Sequence, residues 1–379
     1  MYSVSGYGEM IADQVRRQAY LAALKQTVKS GSIVLEIGSG LGLFAIGAAQ
    51  LGAARVYALE PDDVIELSRE SARSAGVADK ITFIQELSTD VQLPEQVDVV
   101  ISDLRGVLPL FLNHIPSIID ARERFLKTGG VLIPALDNIW ASPIEAPEHY
   151  RRIEMWQELH SDIDCNTARR IVSNTWWKAR AKAEQLLARP QCLCTFNYQT
   201  ISSANAMGKL RFEALRDGSF HGWALWFDTK LFGDIGFSNH PEETELIYGN
   251  AFFPLSEAID VCEGDAIDLS FRANLIDDDY VFSWATQVHD SGKREKIALR
   301  QSSFFGVPFS AANLRKRATN YVPELSRKGQ LDRQILNLMA DGRTIDDIAE
   351  VLIQQYPQYN LTKARALAHV SKLSKTYST

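Results

Sequence analysis

Glycines and carboxylates follow short apolar runs at several points in the first third of the chain. Gly38, Gly40 and Gly42 come directly after one such run, and Glu60 and Asp103 stand at the ends of two others. A loop of glycines lets the backbone approach a ligand closely because no Cβ atoms intervene. A carboxylate at the tip of a strand can accept hydrogen bonds from ribose hydroxyls. Together these residues predict a site for a nucleotide-like cofactor.

The spacing of the glycines discriminates between cofactors. A dinucleotide-binding fingerprint has the pattern G-x-G-x-x-G, but Leu43 stands where its third glycine would be. The pattern here is G-x-G-x-G, which suits an amino-acid moiety better than a pyrophosphate. We therefore expect S-adenosylmethionine, with S-adenosylhomocysteine as its product. The alternative is a glycine-rich turn that binds nothing.

The surrounding pattern predicts a Rossmann-like domain that binds S-adenosylmethionine over residues 1–134. Helices are expected between its strands, and an amphipathic helix containing Arg16 is expected before the first strand. One interpretation of Arg16 is a solvated pair with Asp13 on that helix. In open parallel sheets, ligands bind beyond the carboxyl ends of the strands, where the glycine loop, Glu60 and Asp103 all fall. The predicted strands are 33–37, 54–60, 81–84, 97–103 and 131–134, and the predicted helices are 44–51, 61–76 and 110–126, the last closed by Gly129 and Gly130.

Strands recur without crossover helices over residues 135–308, which predicts a β-barrel or β-sandwich. One helical insertion, at 168–187, is expected to carry Trp176 and Trp177. Residues 309–329 are basic and predict a linker. Residues 330–379 are predicted to form a small domain of three helices, so that the chain combines α/β, β and helical units.

Composition narrows the class of protein. The chain of 379 residues is 46% hydrophobic and carries a net charge of −7, which argues against a dedicated nucleic-acid binder. Its four cysteines lack the spacing of a metal site. The first residues lack a signal peptide, and apolar runs of membrane-spanning length do not occur, so we expect a soluble, cytoplasmic protein.

Three motifs resemble the protein arginine methyltransferases over about residues 7–305. The segment 9–20 is similar to the family's first helix, and the glycine loop with Glu60 is similar to its cofactor site. Ser102, Asp103 and Gly106 match the frame of its substrate loop. The resemblance implies a methyltransferase domain, a β-barrel and a helical dimerisation arm, placed here at about 160–190. It also implies a homodimer formed through that arm.

The same resemblance implies roles for individual residues. Arg16 would pair with the methionine carboxylate of the cofactor, and Glu60 would hold its ribose. Met10 and His114 would line the methyl-transfer pocket. The other positions that match cofactor contacts in the family are Glu36, Gly38, Gly40, Gly42, Pro61, Ser88 and Thr89.

The substrate side departs from the family pattern. The family grips a guanidinium with two glutamates nine residues apart, whereas this chain has Asp103 and Leu112 at those positions. A buried charge left unpaired costs roughly 3–5 kcal/mol. We therefore expect an S-adenosylmethionine-dependent N-methyltransferase (EC 2.1.1.-) that acts on a non-arginine nitrogen of a peptide or small natural product. Asp103 and His114 are the candidate catalytic residues.

Two alternatives stay open at this point. The chain could be a genuine protein arginine methyltransferase with an altered acidic loop, or a non-catalytic regulatory protein whose last three helices bind DNA. Arg105 and Arg122 could form structural ion pairs or bind an acceptor's carboxylate. The segment 331–349 resembles helical domains that bind precursor peptides in ribosomal peptide pathways, which would imply a leader-bearing peptide as acceptor.

Overall fold

The computed structural model describes residues 3–158, 164–357 and 361–378. The chain divides into two compact units, Met1–Pro308 and Phe309–Thr379. The first unit contains a parallel sheet and two antiparallel sheets. In the described parts of the chain, no helix is long and apolar enough to cross a membrane.

A five-stranded parallel sheet with helices around it opens the first unit. Its strand order is β3-β2-β1-β4-β5, so the direction of chain progression reverses beside β1. Such a reversal creates a crevice at the carboxyl ends of the strands, where ligands of open α/β sheets bind. The elements are α1 (Val4–Ala12), α2 (Gln14–Thr27), β1 (Ile33–Ile37), α3 (Leu43–Gln50), β2 (Arg55–Leu59), α4 (Ile65–Ser74), β3 (Ile81–Ile84), β4 (Val97–Ser102), α5 (His114–Arg124) and β5 (Leu126–Ile133).

Two helices occur at the N-terminus where one was predicted. The side chain of Asp13 accepts a hydrogen bond from the Arg16 backbone N–H at 3.0 Å and thereby caps α2. Its other oxygen accepts from the Ile247 N–H at 2.9 Å. The expectation of a solvated Asp13–Arg16 side-chain pair is therefore wrong, because Asp13 satisfies backbone donors and the Arg16 side chain is buried.

The predicted helix 110–126 is shorter than expected. It begins at His114 as α5, and Gly129 and Gly130 lie inside β5 rather than at the end of the helix. The segment 103–113 between β4 and α5 is a loop, and it reaches the same sheet edge as the glycine loop.

Two antiparallel sheets follow, with strand orders β7-β12-β10-β6-β8, where β11 pairs with β10, and β15-β14-β13-β9. Large aromatic side chains such as Trp223, Phe253 and Trp284 fill the shared core. The elements are β6 (Leu136–Ile144), α6 (Pro147–Glu158), α7 (Asn166–Ser173), β7 (Trp177–Ala179), β8 (Gln191–Asn197), β9 (Ala206–Glu213), β10 (Gly218–Phe232), β11 (Ile235–Ser238), β12 (Asn250–Val261), β13 (Ala266–Ile276), β14 (Asp279–His289) and β15 (Glu295–Ser302).

The helix predicted over 168–187 ends at Ser173 and is followed by β7. The two tryptophans explain the difference, because both pack into the sheet. Trp176 stacks on Phe253 with ring centroids 5.9 Å apart, and Trp177 lies 5.2 Å from Phe252 on β12. The helical pair in this region is α6 with α7, and α6 begins before the range of about 160–190 in which the arm was expected. Residues 159–163 of that expected arm lie outside the described residues.

The second unit is helical in its described residues. Leu331, Ile335, Ile348 and Leu352 form its core together with Val370. A short helix occupies part of the segment predicted to be a linker, because Ser310 caps it by accepting from the Asn313 N–H. The helices are α8 (Ala311–Lys316), α9 (Arg327–Ala340), α10 (Ile345–Gln355) and α11 (Lys363–Tyr377).

Candidate active site

A cavity of about 690 Å³ opens at the carboxyl edge of the parallel sheet. Residues from α1, from the loops after β1, β2 and β4, and from the segment before β12 form its wall. Gly42, Ser88 and Thr89 do not contribute to that wall; Gly42 caps α3, and Leu87 lines the cavity instead of its two neighbours. The predicted site residues that do line it are Met10, Arg16, Glu36, Gly38, Gly40, Glu60, Pro61, Asp103 and His114.

Two glycines form the floor of the cavity in conformations that other residues rarely adopt. Gly38 has φ 73° and Gly40 has φ 51°. A Cβ atom on Gly38 would collide with the Leu104 side chain, and one on Gly40 would lie 2.8 Å from the Tyr7 ring. The Leu104 and Tyr7 side chains therefore pack directly against the loop backbone, which only glycine allows. Both glycines line the cavity and form a cradle of bare backbone.

Three polar side chains surround this cradle. Glu60 accepts hydrogen bonds from the backbone N–H groups of Gly40 at 2.9 Å and Asp62 at 3.1 Å. Glu36 accepts from the Ala45 N–H at 2.7 Å, and burial raises its pKa to about 8. The buried Ser39 hydroxyl has no hydrogen-bond partner among the described residues. Carboxyl groups with spare hydrogen-bonding capacity and an unsatisfied hydroxyl fit a ligand that carries hydroxyl and amino groups.

Asp103 lies at the centre of a buried hydrogen-bond network. Its Oδ2 accepts from Arg16 Nε at 2.5 Å and from the Tyr248 hydroxyl at 2.7 Å. Its Oδ1 accepts from Nε and Nη2 of Arg105, both at 3.1 Å. Burial alone would raise the pKa of Asp103, but the two guanidinium groups outweigh burial and hold it at about 2. The carboxyl group is therefore ionised at neutral pH.

Arg105 is enclosed completely, and sequence reasoning left its role open. Its Nη1 donates to Asp137 Oδ1 at 3.0 Å, and its Nη2 donates to the Tyr20 hydroxyl. Four aromatic rings surround the guanidinium, whose central carbon lies 5.1–5.8 Å from the ring centroids of Tyr20, Phe227, Phe237 and Tyr248. Arg105 is therefore a structural ion-pair former. Arg122 also contacts the protein itself, because its Nη1 donates to the backbone carbonyls of Tyr198 and Ile201, both at 2.8 Å.

His114 belongs to the same network, which it contacts through Tyr198. Its Nε2 lies 3.0 Å from the Tyr198 hydroxyl, which donates to Asp137 Oδ2 at 2.6 Å. Burial, aided by the nearby Arg105, lowers the pKa of His114 to about 3. The imidazole is therefore neutral at pH 7. Its buried Nδ1 has no hydrogen-bond partner among the described residues.

Sequence reasoning missed Asp137 and Tyr198 as members of the site. Asp137 lies on β6, and Tyr198 directly follows β8. The available signal was an aspartate at the start of a strand in a packed sheet, because a buried carboxylate needs a partner.

The two halves of the first unit match two family models. Residues 17–142 match the ribosomal protein L11 methyltransferase (PrmA) model, and residues 137–290 match the arginine methyltransferase oligomerization subdomain. The probable protein arginine N-methyltransferase 6 of Arabidopsis thaliana is 29% identical over 64% of this chain, and the match spans 58% of that protein's length. Protein arginine N-methyltransferase 6 of Xenopus tropicalis is 27% identical over 68% of this chain and 80% of its own length.

Solved structures show the same architecture. Protein arginine methyltransferase 10 of Arabidopsis thaliana superposes with a TM-score of 0.71 at 22% identity, covering 79% of this chain and 97% of that one. The PRMT1 enzyme–prozyme complex of Trypanosoma brucei, solved with AdoHcy, gives 0.71 at 19% identity over 78% and 97% of the two chains. These likenesses support an S-adenosylmethionine-dependent methyltransferase, and the fold of its first unit is that of the solved protein arginine methyltransferases.

Proposed function

We propose that this enzyme methylates an uncharged nitrogen, other than that of a protein arginine, on a peptide or small natural product. The proposal rests on one observation, which is that donors of the chain already occupy the hydrogen-bond acceptor positions of the Asp103 carboxylate. A carboxylate offers about four lone-pair positions to hydrogen-bond donors. Arg16, Arg105 and Tyr248 already fill four with donors of the chain itself.

The charges of the buried network also balance. Arg16 and Arg105 supply two positive charges, and Asp103 and Asp137 supply two negative charges. A substrate guanidinium placed at Asp103 would add a third cation that neither carboxylate of this network is free to neutralise. Such an unpaired buried charge costs several kcal/mol, roughly 3–5. An uncharged acceptor avoids this cost.

A second acid does not stand where an arginine clamp would need it. Leu112 occupies that position, with φ 42° and 46% of its surface exposed. Asp278, between β13 and β14, also lines the cavity, and its Oδ1 accepts from Asn113 Nδ2 at 2.9 Å. Because Asp278 is exposed at the rim, water screens its charge and it offers little to a buried cation.

Different residues around the cradle would contact different parts of the cofactor. When bound, S-adenosylmethionine supplies an electrophilic methyl group on a sulfonium. Glu60 would accept hydrogen bonds from the ribose, Gly38 and Gly40 would let the methionine part approach the backbone, and Arg16 would offer its guanidinium to the carboxylate. The rest of the protein aligns an acceptor lone pair with the methyl group, which is the main requirement of an in-line displacement.

A second candidate function is supported by the names of the relatives. Several proteins that are similar to this chain are named protein arginine N-methyltransferases. Methylation of protein arginine through an altered acidic loop is therefore the rival function. It requires Asp103 to exchange at least one of its present partners for the substrate.

Mass spectrometry with a trideuteromethyl cofactor separates the two candidates. The full chain is incubated with CD3-labelled S-adenosylmethionine and either arginine-rich peptides or a panel of peptides and amines with uncharged nitrogens, such as histidine side chains and aromatic amines. We expect label on the uncharged nitrogens and none on arginine. Labelled methylarginine would overturn the proposal and establish the rival. An Asp103→Asn variant gives the background for both panels.

We also propose a homodimer formed through α6 and α7. The match to the oligomerization subdomain covers both helices, and Met155 on α6 is 49% exposed. Met155→Glu should lower the mass measured by light scattering towards that of a monomer. The matched control is Met207→Glu, because Met207 is an exposed methionine on the barrel strand β9. Equal masses for wild type and Met155→Glu would exclude this interface.

A further inference from the structure

Lys178 on β7 and Trp176 just before that strand point to the side that faces the cavity. Side chains alternate between the two faces of a strand, so these two share one face. Trp177, between them, packs against Phe252 on the other face. Lys178 and Trp176 both line the cavity. Two positions along a strand span about 7 Å, so a cation and an aromatic ring stand side by side in the cavity wall.

The charge of Lys178 is not paired in the way that the other cations of the cavity wall are. Arg16 and Arg105 each form an ion pair with Asp103. The Lys178 ammonium donates to the backbone carbonyl of Ile247, and it has no ion-pair partner among the described residues. Lys178 is exposed and lines the cavity, so a ligand there can reach it. An ammonium group has three N–H donors, which leaves two for that ligand.

The charged groups around Lys178 leave it in need of an anion. Arg180 is itself paired with Glu245. Loss of water around the ammonium and the positive charge of Arg180 lower the pKa of Lys178, whereas Glu245 and Glu9 oppose that shift without forming an ion pair with it. An ammonium whose charged form is disfavoured in this way is stabilised by an anion placed beside it.

The Trp176 ring is held in place by two other rings. It stacks on Phe253 with centroids 5.9 Å apart and meets Phe282 edge to face at 5.6 Å. The side chain is only partly buried by these contacts, and it lines the cavity together with the exposed Leu112. A fixed aromatic surface of this kind favours a flat, apolar group of a ligand.

We infer that Lys178 and Trp176 form a subsite for a carboxylate carried on an aromatic group of the methyl acceptor. The segment 247–248 connects this subsite to the buried network, because the Ile247 carbonyl accepts from Lys178 and the Tyr248 hydroxyl donates to Asp103. The inference rests on the proposed function and narrows its substrate class to molecules that combine an uncharged nitrogen with a carboxylate. Such an acceptor is an anion, whereas an arginine-rich peptide is a cation.

Two probes of the same shape test the subsite. 4-Aminobenzoate and 4-aminobenzamide share a ring and an uncharged aromatic amine, and they differ in the charge of one group. Calorimetry measures their dissociation constants with the full chain saturated with S-adenosylhomocysteine. We expect 4-aminobenzoate to bind more tightly by about fivefold or more, because the ion pair is charge-assisted and only partly screened by water.

Variants of the two residues separate charge from packing. Lys178→Gln should remove the preference for the carboxylate, and Lys178→Arg should keep it. Lys182→Gln is the matched control, because Lys182 is an exposed lysine close by in the chain that does not line the cavity. Trp176→Leu should weaken binding of both probes without changing their ratio, with circular dichroism and the affinity for S-adenosylhomocysteine as checks on folding.

Equal affinities for the two probes in the wild type, or binding of neither probe, would overturn the inference. So would a preference that survives in Lys178→Gln, and unchanged affinities in a folded Trp176→Leu would overturn the role of the ring. Methylarginine in the mass-spectrometric assay would instead remove the proposed function and leave the carboxylate preference standing, so the two failures are distinguishable.

Discussion

At the scale of single residues, the partners of Asp103 decide what the site can bind. The carboxylate is placed where the resemblance expects a substrate clamp, yet Arg16 and Arg105 neutralise it from inside the protein. Asp103 and Leu112 could be found from the sequence, because they stand in a recognisable frame. The involvement of Asp137 and Tyr198 could not, since contacts between residues 61 and 84 positions apart, such as those of Tyr198 with Asp137 and His114, depend on the finished fold.

Arg105 and Asp137 form a buried ion pair whose two members depend on each other. Arg105→Met leaves Asp137 unpaired and should lower the free energy of unfolding by about 3–5 kcal/mol. Adding Asp137→Asn should recover part of that loss, since the stranded charge is removed, giving a coupling of about 1–3 kcal/mol. All seven tryptophans lie in the first unit, so denaturation followed by tryptophan fluorescence reports on that unit. Additive losses would mean that the pair is not coupled.

His114 should make stability depend on pH. Its pKa is about 3 in the folded protein, below the ordinary 6.5, so the unfolded chain binds the proton first. The contribution of His114 to the free energy of unfolding is complete above pH 6.5. It falls as the pH drops towards 3, by up to about 1.4 kcal/mol per pH unit. Denaturation at pH 7, 6 and 5 should show the advantage of wild type over His114→Asn shrinking. If the free energies of unfolding of wild type and His114→Asn changed equally with pH, His114 would titrate normally in the folded protein.

At the scale of secondary structure, the glycine loop turns a strand end into a cofactor cradle. Four of the five strands of the parallel sheet could be predicted closely, because apolar runs mark them, as they do β1. The fifth strand, β5, begins five residues before its predicted range of 131–134. The structure of the segment 168–187 could not be predicted in this way. Its helix-compatible residues are overridden by the burial of Trp176 and Trp177 in the sheet, an effect of tertiary packing.

Gly38 should be required for cofactor binding rather than for folding. Gly38→Ala places a methyl group against Leu104 and forces alanine into the left-handed region. The matched control is Gly31→Ala, at φ 87° with open space around its Cβ position. Both should lose about 1–2 kcal/mol of stability. Calorimetry should show weaker binding of S-adenosylhomocysteine only for Gly38→Ala, and equal affinities would show that the loop tolerates a side chain.

At the scale of the whole molecule, the chain joins a two-part catalytic unit to a small helical unit. The division near residue 308 follows from the shift from alternating strand patterns to a basic segment and then to helical periodicity. Each unit has its own buried core. The network that links the parallel sheet to the barrel lies wholly within the first unit, because Asp103, Asp137, Tyr198 and Tyr248 all belong to it.

The fragment 1–308 should therefore bind S-adenosylhomocysteine as tightly as the full chain does. The wall of the cavity is formed by residues up to Asp278, and none of the buried network would be lost. Calorimetry on the fragment and the full chain, with circular dichroism to check folding, measures the comparison. A tenfold weaker affinity in a folded fragment would show that the second unit contributes to the cofactor site.

A peptide pair tests the charge balance around Asp103 most directly. Citrulline has the shape of arginine without its charge, so binding of an arginine peptide and its citrulline counterpart to the full chain with S-adenosylhomocysteine isolates the effect of a substrate cation. Calorimetry should show that arginine gives no gain in affinity over citrulline, because the carboxylates are already neutralised. Arginine binding tenfold or more tightly than citrulline would contradict the account, since it would require an acidic partner that the buried network has left free.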